Sequence, residues 1–313
     1  MFRRSPAFTI AVLVGAALSL SACGSDSLST SSTTSPAAGA SSASGSGSAS
    51  AGGGVDSALA AKLPESIKSA GVIKIGTDAT YQPNEYLDAD GKTVIGMDVD
   101  LFNAVAAKFG VKTEWVPSAF DAIILGVSSK KYDMGISSFT INAERLKKAT
   151  MVSYFSAGTQ WVTQKGNPKS VDPENACGLK IAAQKGTVQV DDLDTRSKKC
   201  TDAGEKPIEQ LVDADQGKVT TMVVSGKADA MLADLPPAIA AVETTGSLEL
   251  LGEQYDSAPY GYVLPKDGSD DFAGAIVEAL KQLQADGTYE EILTKWKTEG
   301  GAITDFAVNP DVG

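Results

Sequence analysis

A twice-repeated alternation of short β-rich runs and helical patterns constrains this chain more than any other feature. The first begins at residues 72–76, VIKIG, which end on Thr77 and Asp78. Residues 98–109 then place Val99, Phe102, Val105, Ala106 and Phe109 at helical spacing, and Gly110 stands where a helix would stop. A strand at 111–116, a helix over 120–128 and a strand at 132–136 follow. The pattern restarts with a strand at 179–183, a helix over 188–197, a strand near 206–210, a helix over 216–225 and a strand at 229–233. Strand, helix, strand, helix, strand is the pattern of a parallel sheet with helices on its faces. Residues 55–313 are too many for one core, so two lobes of about 100 to 150 residues are expected. The chain ends in helix, with Phe272, Ile276, Ala279, Leu280 and Leu283 on one face and a further segment at 289–296 after the break at Asp286 and Gly287.

The N-terminus reads as an export signal. Arg3 and Arg4 precede an almost unbroken apolar run over 7–20, too short to span a bilayer, which needs about 20 apolar residues. Leu20, Ser21, Ala22 and Cys23 follow and resemble the bacterial lipobox, which implies lipid on Cys23 and removal of residues 1–22; the alternative is an ordinary leader cut near Ala22. Residues 23–54 are nearly all Ser, Gly, Ala and Thr and cannot bury enough apolar surface to order themselves. Such a tether spans about 30 Å r.m.s.. An exported chain meets an oxidising compartment, where the remaining even pair, Cys177 and Cys200, is expected as a disulfide and not as two free buried thiols. The chain has no His, so a metal site is not expected. Its net charge of −12, or −14 once the leader's two arginines are removed, disfavours nucleic acid and anionic lipid and suits a cationic or zwitterionic small ligand.

In open α/β sheets, ligands bind beyond the carboxyl ends of the strands, and small-molecule sites favour domain interfaces. That rule singles out Asp78, the run Ser137 to Thr140, the run Gln184 to Gln189, and Asp234. A ligand carboxylate needs a guanidinium and helix-start amides, while an ammonium needs a carboxylate and hydroxyls. Arg145 lies in the first turn of a helix after Ser137, Ser138 and Thr140; Gly186 and Thr187 open another; Asp234 sits at a strand-to-helix corner before Pro236 and Pro237. Singly, each has a plainer reading: Arg145 a solvated helix charge, Asp234 an N-cap, Gly186 a turn.

Taken together, ordered stretches over 71–296 resemble the family 3 extracellular solute-binding proteins, which bind polar amino acids for ABC importers. They are IGTDATYQPNEY (75–86), GMDVDLFNAVAAKFG (96–110), AFDAIILGV (119–127), YDMGISSFTINAERLKKA (132–149), QKGTVQ (184–189), GKADAMLAD (226–234) and LQADGTYEEILTKW (283–296). The resemblance implies an α/β two-lobe clamshell of the type II periplasmic binding protein kind, each lobe a mostly parallel sheet flanked by helices. Crossover strands are expected near 157–163 and 259–264, giving a first lobe of 55–158 and 259–313 and a second of 159–258. It also implies that Arg145, with Thr140 and the amides of Thr187 and Val188, grips the ligand α-carboxylate. Asp234 and Ser138 would hold the α-ammonium, and Asp78, Tyr81, Phe120 and Gln189 would surround or close over the side chain, with Ser137 and Gln184 completing the site. The expected partners are an amino acid and an ABC permease in the cytoplasmic membrane, with the protein monomeric and using no cofactor. Asn84 stands where the family often has an aromatic, and Asn142 where it has threonine, so the ligand's side chain stays open. A dehydratase-like enzyme on the same clamshell and a sensor for a separate membrane partner are the alternative functions.

Overall fold

The computed structural model describes residues 54–312. Cys23, the leader and nearly all of the tether therefore lie outside the described residues. Two short helices, α1 (Ser57–Ala60) and α2 (Glu65–Ala70), lead into β1 (Val72–Thr77). A small sheet of β2 (Thr80–Tyr81), β3 (Glu85–Leu87) and β4 (Val94–Ile95) precedes α3 (Met97–Phe109), β5 (Lys112–Pro117), α4 (Phe120–Ser128), β6 (Met134–Thr140) and the single turn α5 (Ala143–Leu146). Then come β7 (Ala149–Gln164), β8 (Lys180–Gln184), α6 (Val188–Asp202), β9 (Glu209–Asp213), α7 (Gln216–Val224), β10 (Ala230–Asp234) and α8 (Leu235–Thr245). The chain finishes with β11 (Leu248–Pro265), α9 (Asp270–Ala285) and α10 (Thr288–Trp296).

Eight strands form one sheet in the order β5-β1-β6-β11-β7-β10-β8-β9. Its two outer thirds are parallel, β1 pairing with β5 and β6, and β8 with β9 and β10. Between them run the long antiparallel strands β7 and β11, which divide their length between the two sides. The C-terminal part of β11 pairs with β6 through Tyr260 to Val263, while the C-terminal part of β7 pairs with β10 through Thr159 to Thr163. The register of β11 against β7 shifts at Leu251/Tyr255 and again at Tyr255/Ala258, where the ribbon passes from one side to the other. Each side has its own apolar interior. Ile73, Leu101, Phe102, Tyr262, Ile276 and Leu280 pack on one face of the first and Ile123, Val127 and Met151 on the other; the second encloses Ile181, Leu193 and Leu232, with Val219, Met231 and Ala238 opposite. Helices on both faces of parallel strands, with two separate interiors joined by two strands, make the α/β two-lobe clamshell.

The expected helices over 98–109, 120–128, 216–225 and 289–296 are present within a residue or two. The strand expected near 206–210 instead begins at Glu209, because Pro207 has no N–H for the ladder and the amide of Ile208 bonds to Ser197 Oγ at 3.1 Å. The crossover strands extend well beyond the expected 157–163 and 259–264, to 16 and 18 residues. Cys177 and Cys200 are joined as a disulfide, Cα atoms 5.6 Å apart, tying the start of β8 to the end of α6.

Candidate functional site

A small cavity lies between the lobes at the carboxyl ends of the parallel strands. Its lining is made of Asp78, Tyr81, Phe120, Ser137, Ser138, Thr140, Arg145, Gln184, Thr187, Val188, Gln189 and Asp234. All twelve residues singled out in the sequence thus meet in one place, seven from positions before β7 and five from positions after it.

Arg145 is held at one end. Asn142 caps its short helix, Oδ1 accepting from the Arg145 amide at 2.9 Å, which is the use this chain makes of an asparagine at that position. The guanidinium lies 5.3 and 5.4 Å from the rings of Phe120 and Phe139, which stack on each other at 4.5 Å. Nη1 donates to Thr140 O at 2.7 Å, and Nη2 crosses the cleft to Gly186 O at 3.2 Å. Both partners are carbonyls, and among the described residues Arg145 forms no ion pair. Burial pulls its pKa down to about 10, against the attraction of Asp234 and Asp191. Gly186 allows the approach: its φ is +79°, and a Cβ there would lie 2.8 Å from that of Asp121.

Asp234 holds the other end. It occupies the N-cap position of α8 but caps nothing with its side chain. Instead Oδ2 accepts from Tyr260 Oη at 2.7 Å and Tyr81 Oη at 3.0 Å, and Oδ1 from Gln189 Nε2 at 2.8 Å. The plain N-cap reading of Asp234 is therefore replaced by a carboxylate aimed at the cleft and 5% exposed. Burial raises its pKa, while those three donors and Arg145 act the other way. No lysine or arginine pairs with it among the described residues. Tyr81 and Gln189, expected around a ligand side chain, sit on this carboxylate.

Asp78 forms the third charged wall. Oδ1 accepts from the amide and hydroxyl of Thr80 at 3.1 and 2.5 Å, and Oδ2 from the Phe120 amide and from Gln184 Nε2 across the cleft, both at 3.1 Å. Burial lifts its pKa to about 6 despite these donors. Thr187, the N-cap of α6, does not cap that helix with its side chain; its hydroxyl donates to Gln184 O at 2.7 Å. The Ser138 hydroxyl, expected beside Asp234 on the ligand ammonium, is instead turned into the first lobe, where it meets Asn84, Glu85 and Asp98. Sequence reasoning passed over Tyr260, whose signal is an aromatic in the expected crossover run, and Thr159, which accepts from Gln189 at 3.0 Å. It also passed over the Lys185–Asp121 ion pair of 2.9 Å that spans the rim.

Residues 73–299 match the family model of the bacterial extracellular solute-binding proteins, family 3. The chain belongs to that family. Family 3 proteins are extracellular, which puts this chain outside the cytoplasm, and among the described residues no helix is long and apolar enough to cross a membrane. The arginine-binding protein ArgT of Corynebacterium glutamicum is 33% identical over 253 residues, spanning 80% of this chain and 82% of that protein. An ancestral arginine-binding protein solved with arginine superposes with a TM-score of 0.66 at 33% identity, over 72% of this chain and 98% of its own. The ancestral amino acid-binding protein AncCDT-1, a precursor of cyclohexadienyl dehydratase, gives 0.67 at 29% identity, over 74% and 98%.

Proposed function

We propose that this chain is the receptor of an ABC importer, closing its two lobes over a polar or cationic amino acid and delivering it to a permease in the cytoplasmic membrane. One observation carries the reading. A buried guanidinium and a buried carboxylate line the same small cavity, and neither has an ion-pair partner among the described residues. A buried charge costs several kcal/mol unless it is matched, and a zwitterion matches both at once. In this reading Arg145, Thr140 and the amides of Thr187 and Val188 receive the α-carboxylate, and Asp234 receives the α-ammonium. Asp78, Phe120, Ser137, Ser138 and Gln184 surround the side chain, with Tyr81 and Gln189 holding Asp234. Asp78 favours a cationic side chain such as that of arginine, lysine or ornithine, and the arginine relatives support the same choice. Its carboxylate can also accept from an amide, so glutamine is the runner-up.

Lipid on Cys23 would anchor a monomer by the 23–54 tether, with residues 55–158 and 259–313 as one lobe and 159–258 as the other. One solved neighbour, itself an amino acid-binding protein, is a precursor of a dehydratase, which raises an enzymatic reading, for which Asp78, at about 6, is the acid to consider. Asp78 is held as an acceptor by Thr80, Phe120 and Gln184, and the sequence holds no His to act as a base, so binding is the simpler account.

Thermal-shift screening against the twenty amino acids, ornithine and citrulline tests the proposal. A ligand at 100 times its Kd stabilises by about 2.7 kcal/mol, and the largest shift is expected from a cationic amino acid. On Asp78→Asn the preference for arginine over glutamine should shrink. If no amino acid raises the transition temperature, the proposal fails. Tight binding of glutamate, or a cation preference untouched by Asp78→Asn, would mean the side-chain wall is misread.

A further inference from the structure

We propose that Glu85 and Asp98 share one proton and, through it, position the serines that form the first-lobe floor of the cavity; the positioning part rests on the binding reading above. Both acids are 0% exposed and belong to no ion pair among the described residues. They converge on one hydroxyl: Ser138 Oγ lies 3.2 Å from Glu85 Oε2 and 3.3 Å from Asp98 Oδ2. A single hydroxyl proton serves one of them, and Ser138 Oγ is itself an acceptor from Asn84 Nδ2 at 2.9 Å. Asp98 Oδ1 is buried with no donor from any neutral or cationic group, and the two carboxyls are within hydrogen-bonding reach of each other. Two carboxylates so placed cannot both ionise, and a proton on one supplies the donor the other lacks.

The negative charge belongs to Asp98. That residue lies in the first turn of α3, where the helix dipole favours an anion, and its Oδ2 also accepts from Tyr154 Oη at 2.7 Å and the Ser138 amide at 3.1 Å. The proton therefore stays on Glu85. The titratable groups facing the pair from the surrounding strands are acids and phenols, namely Asp78, Tyr81, Tyr154 and Tyr262, so nothing nearby favours a second charge. Burial pushes both carboxyls upward, Glu85 further because Asp98 repels its ionised form.

The pair reaches the cavity through two serines. Ser137 Oγ donates to Glu85 Oε1 at 3.0 Å and accepts from the Asp78 amide at 2.9 Å. Ser138 has φ +52°, a conformation that a non-glycine residue holds only when its surroundings fix it, and both its amide and its hydroxyl are fixed by this pair. Gly96, φ +141°, brings the two acids together, since a Cβ there would fall 2.1 Å from Asn84 O.

The test counts protons and measures binding on the intact mature protein. Near neutral pH, unfolding the wild type should release about one proton more than unfolding Glu85→Gln, seen as a steeper fall of stability with pH. Glu85→Gln keeps a donor toward Asp98, so it should bind arginine at least about ten-fold more tightly than Glu85→Ala, which leaves Asp98 Oδ1 unpaired. Equal proton release by wild type and Glu85→Gln would overturn the shared proton. A Glu85→Gln variant as weak as Glu85→Ala would overturn its role in positioning. The proton count needs no ligand, so a protein that bound no amino acid would sink the proposed function and leave this part of the inference standing on its own result.

Discussion

In the first lobe Asp78 takes three of its four hydrogen bonds from Thr80 and Phe120 of that lobe, and the serines beside it are fixed from behind by Glu85 and Asp98. In the second lobe Asp234 has one donor of its own, Gln189; the other two, Tyr81 and Tyr260, reach it from first-lobe strands. One wall is therefore formed before closure and the other is completed by it. A ligand shifts the balance between open and closed forms only through contacts that differ between them, so the second wall is where binding and closure are coupled.

The charged ends should give the largest effects. Arg145→Ala and Asp234→Asn are each expected to weaken binding about 30-fold to several thousand-fold in calorimetry while folding is retained, because each leaves one charge of a matched pair buried alone. Binding within a few-fold of wild type by either variant would misplace the site. Next is the Cys177–Cys200 bond, which closes a stretch of 23 residues containing Gln184 to Gln189. Replacing both cysteines by serine should cost about 3 kcal/mol in the chain-entropy account. Hydrogen exchange should then quicken in β8 and α6 and stay unchanged in β1 and α3; a uniform change would deny the lobes their separate interiors.

Much of this contrast was legible beforehand. The strand-end rule found Asp78, Asp234 and the 184–189 run because side chains there have nowhere to go but the cleft, and the family resemblance added Arg145 with its partners. What stayed hidden lacks a local signature. After the buried Leu248, β11 is exposed or half-buried until Tyr260, since its partner there is another ribbon strand with shifting register. Helix α8 begins at Leu235 and carries Pro236 and Pro237 in its first turn, where proline is tolerated, so the strand-to-helix corner at Asp234 was legible but the length of the helix behind it was not. Glu85 and Asp98 are 13 residues apart in the sequence and look like ordinary surface acids; only the tight approach at Gly96 buries them together.

Two smaller effects sharpen the comparison. Tyr81→Phe removes the donor that Asp234 receives across the cleft and is expected to weaken binding about ten-fold, with little change in the stability of ligand-free protein. A large loss of stability without ligand would mean that Tyr81 supports the lobes themselves. Acid behaviour is subtler. Asp78 is raised from 3.8 to about 6, so between those values the folded form holds a proton that the unfolded chain has lost. The part of the stability that Asp78 contributes should therefore fall as pH rises from about 4 to about 6 and level off above, and Asp78→Asn should remove that part of the slope in thermal unfolding.

The most direct measurement of the two-ended grip is calorimetric comparison of L-arginine with agmatine, which lacks the α-carboxylate, and with the analogue lacking the α-amino group. Arginine should bind, and each analogue should bind at least about 30-fold more weakly, since each leaves either Arg145 or Asp234 buried without its counter-charge. Agmatine or the deaminated analogue binding within a few-fold of arginine would contradict the claim that these two residues hold the ends of an amino acid.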